Sequence, residues 1–178
     1  MGKHDKHIGK ISAILFICSI VINFIGGGVI PFGPLQNFFF ELGSLCAIGG
    51  YATIAGKLNR ENHDLLVAGF TVLTVAEGFS IASVADSYKP NVSSFAACLA
   101  LYSLGFLIIG VFSHFKWWVR TACILITIPF GIDTYGILTK TLQDYLIPFK
   151  LVGYCLQTVA IIGWILYLLG PEEKKQVS

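Results

Sequence analysis

Polar residues recur at every third position through an otherwise apolar stretch: Thr71, Thr74, Glu77, Ser80, Ser83 and Asp86. On an α-helix that spacing draws a ridge that drifts around the axis, so Thr74 to Ser83 share about half the circumference. The stretch from Leu65 to Asp86 is as long as a bilayer-spanning helix needs to be, and Glu77 falls near its middle. A carboxylate at that depth costs on the order of 2.5–3.5 kcal/mol on insertion scales, so it must face other helices or a wet cavity. A carboxyl held away from water favours its neutral form, which donates a hydrogen bond. Proton relay, cation binding and capture of an amine are the chemistries open to such a group. The plainer alternative is that Glu77 bonds a Thr, Ser or Gln neighbour and specifies packing alone.

Other ionisable groups accompany it. Glu41 lies near the start of the second apolar run, and Asp133 follows one turn after Pro129 in the fifth. Lys150, Tyr154 and Gln157 form an i, i+4, i+7 stripe in the sixth. If successive helices alternate in direction, Glu41, Asp86, Asp133, Asp144 and Lys150 fall toward one side. They then form an acidic vestibule that narrows to Glu77 and is partly balanced by Lys150. The expected site is Glu77 with Asp133, Glu41, Thr74, Ser80, Lys150 and Gln157, binding a ligand or a proton. Asp86, Asp144 and the loop lysines read as ordinary interface charges. All four histidines (His4, His7, His63 and His114) fall on the opposite side. Their separation from the carboxylates argues against a metal site in the bundle and against a Ser-His-Asp arrangement. Neither a Walker loop nor a zincin motif occurs, and no cofactor is expected.

A helical scaffold must position these groups. The chain is 55% hydrophobic and 12% charged, with mean hydropathy +0.76, whereas a soluble domain is about a quarter charged. Six segments pass the length test for spanning helices, at approximately 8–30, 38–56, 65–85, 92–112, 117–138 and 147–169. The expected fold is all-α: a six-transmembrane-helix bundle, one transmembrane domain over residues 1–178, with sequential helices antiparallel. Nine of the twelve basic residues (Lys3, Lys6, Lys10, Lys57, Arg60, Lys116, Arg120, Lys174 and Lys175) then share one side. Lys89, Lys140 and Lys150 occupy the other, which places both termini in the cytoplasm. The first apolar run is too long for a signal-peptide core, and the net charge of +2 supports no nucleic-acid partner.

Special residues refine the picture. Gly26-Gly27-Gly28 reads as an irregular helix exit. Gly43, Ala47, Gly49, Gly50, Ala52 and Gly56 form a small-residue surface, and Ala96, Ala97, Ala100, Ser103 and Gly105 suggest another. Pro129 should bend the fifth helix. The five cysteines all lie inside apolar segments with no CxxC pair, so they read as small hydrophobes rather than disulfides or zinc ligands.

The stretch Phe39-Phe40-Glu41-Leu42-Gly43, after a first loop containing Pro and Gly, resembles the Ser-Glu-Leu-Gly stretch of a bacterial and archaeal six-helix integral membrane family of unassigned function. Ala85-Asp86 and the helix that follows are loosely similar to that family's pattern. Phe40 stands where the family has serine, and Ser93-Ser94 where it has histidine. What the resemblance implies is architecture, with no activity to carry over.

The leading reading is a multi-pass protein of a plasma or inner membrane, embedded in the lipid bilayer. It binds or translocates a small polar or cationic species through an outward-facing acidic cavity centred on Glu77. One rival is a non-catalytic integral subunit that packs against a membrane partner or a second copy through its polar ridge and small-residue faces. The other is an intramembrane lipid-modifying enzyme, disfavoured by the histidine placement and by short loops.

Overall fold

A computed structural model describes residues 3–30, 33–84, 91–140 and 146–170. These form six α-helices: α1 (Lys3–Gly28), α2 (Pro34–Arg60), α3 (Asp64–Val84), α4 (Val92–Phe112), α5 (Trp117–Thr139) and α6 (Leu146–Leu169). All six contain a stretch long and apolar enough to cross a membrane. The helices outrun the apolar segments because hydropathy marks only the greasy part of a helix. Pro34, with its φ preset and no N–H to waste, starts α2 a turn before the apolar run. At its other end α2 runs on to Arg60.

Each helix packs on its neighbours in sequence, and α1 also meets α6, so the six close into a ring. Contacts between neighbours fix an antiparallel register throughout. Ser12 bonds the Gly50 carbonyl while Gln36 bonds that of Gly26. Gly69 meets Ile109 while Gly105 meets Leu73, and Phe130 meets Gly153 while Val119 meets Gly163. One end of the ring carries His63 and His114; the other carries Asn91, whose side chain caps α4 by accepting from the Ser94 N–H at 3.1 Å.

Aromatic rings fill the middle. Trp164 of α6, fully buried, lies 4.9 Å from Phe70, 5.8 Å from Phe106, 5.9 Å from Phe16 and 6.0 Å from Tyr51. One indole thus touches rings from α1, α2, α3 and α4, in the offset and edge-on arrangements that aromatic quadrupoles favour. The outside is apolar as well: Phe24, Leu35, Leu65, Leu104, Ile128 and Leu166 are all exposed. This distribution suits a lipid surround.

Glycine lets the helices approach. A Cβ on Gly50 would sit 2.6 Å from the Phe16 ring, and one on Gly43 would sit 2.5 Å from Asn23. The small-residue surface of α2 is therefore spent largely inside the chain, on α1. The α4 set is divided: Gly105 faces α3, Ser103 donates to the Thr127 carbonyl of α5 at 3.1 Å, and Ala100 is exposed. The glycine triplet stays helical to Gly28, and Gln36 donates to the carbonyls of Gly26 (3.0 Å) and Ile30 (3.4 Å). That side chain answers carbonyls which a helix end otherwise leaves open.

Candidate functional site

Glu77 sits on α3 with 4% of its surface exposed, in a ring built almost wholly from apolar side chains. Its hydrogen-bond partners come from the flanking helices. Ser44 of α2 and Tyr102 of α4 present their hydroxyls to the carboxyl group. Tyr51, two turns along α2 from Ser44, is close enough to sense the Glu77 charge. The Tyr51 hydroxyl in turn accepts from Gln157 Nε2 of α6 at 3.4 Å. Polar groups from α2, α4 and α6 thus lie at or near this one carboxyl, spread over about two helical turns.

The aromatic faces around this layer are continuous with it. Tyr102 lies 5.5 Å from Phe130 of α5, which meets Tyr154 of α6 edge-on at 5.7 Å. Tyr154 is within electrostatic reach of both Glu77 and Asp133. Asp133 is fully buried on α5, about one turn from Phe130 toward the Asn91 end. Gln157 is 8% exposed, and its Oε1 has no hydrogen-bond partner among the described residues. The arrangement offers acceptors and π faces at a depth where charge is costly. Such a set suits a proton or a cation.

The sequence ridge does not act as one unit. Thr74 turns its hydroxyl back to the Phe70 carbonyl at 2.9 Å, as Thr71 does to Val67. Ser83 bonds the Ser80 carbonyl at 2.6 Å, and the Ser80 hydroxyl lies against the Cys98 thiol. A threonine in a helix has its own i−4 carbonyl within reach, and that local bond wins over Glu77. Glu41 is half-exposed on α2, and among the described contacts none joins it to Glu77. Lys150 lies in α6, but its side chain is outside the described residues, as are Asp86 and Asp144. The site brought together is Glu77 with Ser44, Tyr51, Tyr102 and Gln157. Asp133 stands nearby through Tyr154.

The hydroxyls of Ser44, Tyr51 and Tyr102 had one legible signal. A tyrosine where an apolar span would accept phenylalanine brings a hydroxyl that must find a partner. Lys57 does more than mark a membrane boundary. Its ammonium is buried at the His63 end, bonded to Glu61 at 3.0 Å and placed 4.7 Å over the Tyr167 ring. The Tyr167 hydroxyl donates to the other Glu61 oxygen at 3.2 Å. This triad ties α2 to α6. Arg120 likewise does more than carry charge, because its guanidinium donates to the carbonyls of Gly110 and Val111 at 3.2 Å and so caps α4.

Comparison with known proteins gives no family model, no curated protein and no solved structure that matches the chain. No relative names the function. The similarity of Phe39–Gly43 to a six-helix family therefore stands on those residues alone, and an origin in bacteria or archaea gains no support. Among the described residues, no group of three or more His, Cys, Asp or Glu side chains is placed to hold a metal ion.

Proposed function

We propose that this protein is a multi-pass membrane protein that binds and passes a small cation, the proton included, at Glu77. The observation that carries the reading is the pairing of Ser44 and Tyr102, from the two flanking helices, with that one buried carboxyl, with Tyr51 in electrostatic reach and Gln157 bonded to Tyr51. In its neutral form Glu77 holds a proton and donates a hydrogen bond. In its ionised form it accepts from Ser44 and Tyr102 and is a counter-ion for a bound cation. Exchange of one for the other is the elementary step of proton-coupled cation movement. The basic asymmetry supports placing the Asn91 end outside and the His63 end in the cytoplasm.

The subunit alternative loses one of its supports. Gly43, Ala47 and Gly50 are buried, and the two glycines press on α1 of the same chain. Purified protein in sealed vesicles with an imposed potential tests the main reading. A proton flux is expected that Glu77→Gln abolishes and Asp64→Asn, on an exposed residue at the His63 end, leaves intact. Equal flux in wild type, Glu77→Gln and protein-free vesicles would sink the proposal.

A further inference from the structure

Of the six seams in the ring, the one between α1 and α6 is the lightest. Near the His63 end it is closed by Gly9 against Leu168 and Phe16 against Trp164. Toward the Asn91 end the same faces come out of the packing. On α6, Ile161 is 5% exposed, whereas Tyr154, two turns earlier on the same face, is 42% exposed. On α1, Ala13 is 1% exposed and Phe24, three turns later on one stripe, is 72% exposed. Between the outer halves of these helices the seam thus leaves side chains of both exposed, toward the surface a bilayer would cover.

Tyr154 connects that opening to the polar layer. Its ring is partly exposed in the seam and packs on Phe130, and its hydroxyl is within electrostatic reach of Glu77. One turn deeper on α6, the buried Gln157 keeps Oε1 without a partner among the described residues. A buried amide oxygen left in that state is destabilising, and a donor supplied by a ligand would satisfy it. The opening is thus apolar at its walls and acceptor-rich at its floor.

We propose that this seam is a lateral port through which an amphiphile with a protonated amine head and an alkyl tail reaches Glu77 from the bilayer. The inference rests on Glu77 being a cation site, and it names the class of cation. The head would meet the Glu77 carboxylate, Gln157 Oε1 and the aromatic faces of Tyr102 and Tyr154, all of which favour a positive, N–H-bearing group. The tail would lie between Phe24 and Tyr154, in contact with lipid. A phosphate or carboxylate head would instead meet the Glu77 carboxylate and the Gln157 oxygen, which repel it.

The test uses full-length protein in phosphatidylcholine nanodiscs and a dodecylamine carrying a diazirine in its chain. After irradiation, adducts are expected on residues 20–27 of α1 and 151–158 of α6, competed by unlabelled dodecylammonium. Glu77→Gln should cut competable labelling roughly tenfold, the scale of losing one charge-assisted bond. If that variant does not fold, Gln157→Leu carries the same test. Lys150, one turn before Tyr154, would favour the opposite charge, so a dodecanoate probe of equal length is the discriminating control. Equal competable labelling by dodecanoate, or adducts spread evenly over all six helices, would overturn the port. Glu77-dependent proton flux together with that labelling pattern would discard the port and leave the cation site standing. Absence of proton flux in the wild type, together with Glu77-dependent amine labelling, would discard proton passage and leave Glu77 as the amine site behind the port.

Discussion

At the scale of single residues, the main fact about Glu77 is that its partners are hydroxyls on other helices. Replacing it by Gln keeps an acceptor for Ser44 and Tyr102, whereas Leu leaves both hydroxyls facing hydrocarbon. Interhelical bonds of this kind average about 0.6 kcal/mol in membranes. Glu77→Leu is therefore expected to cost about 1 kcal/mol more than Glu77→Gln, read from reversible unfolding in mixed micelles. Equal losses would mean that the carboxylate charge itself holds the bundle. Gln36 gives a second check. Gln36→Leu strips the α1 exit of its donor and should cost about 1 kcal/mol, with faster amide exchange confined to residues 26–30. Glu77 was legible in the sequence because a carboxyl stands out in an apolar run. Tyr51 and Tyr102 offered only their hydroxyls as a signal, since the same run hides an aromatic that belongs to its core.

At the scale of elements, the positions of α3, α4, α5 and α6 could be read from hydropathy to within about a residue of each end. Two began early: α1 runs back into its polar N-terminal residues to Lys3, and α2 starts at Pro34, a helix starter that hydropathy does not register. What the pattern did not reveal was which face of each helix met which neighbour. An all-round apolar helix carries almost no periodic signal, so lipid-facing and partner-facing leucines look alike. Glycine partly restores that information. Gly50 and Gly153 lie under the rings of Phe16 and Phe130, while Gly56 has nothing within 4 Å of a built Cβ. Gly50→Leu and Gly153→Leu should each destabilise the bundle by about 1–3 kcal/mol through overpacking. Gly56→Leu should stay within about 0.5 kcal/mol of wild type. A chain in which all three behave alike would not be packed in this ring.

At the scale of the whole molecule, the antiparallel ring divides its polar groups between two ends of different character. The His63 end is bound together by the Lys57–Glu61–Tyr167 triad and by Arg120 over the last carbonyls of α4. The opposite half holds Glu77 and Asp133 and the wider part of the α1–α6 seam. A device that takes a cation from one side needs such an asymmetry: a half that is fixed and a half that can admit a ligand. The basic residues, which concentrate at the His63 end and the termini, predict a direction in the membrane. Lys116 and Lys140 are exposed at opposite ends of α5, one before its first turn and the other at its left-handed cap, so each can be replaced by Cys without entering the packing. In intact cells, an impermeant maleimide is expected to label Lys140→Cys and to reach Lys116→Cys only after permeabilisation. The five native cysteines lie within the helices, so wild type serves as the background. The opposite labelling pattern would turn the molecule over. The wide half of the seam would then face the cytoplasm, and Glu77 would draw its cation from the inner leaflet.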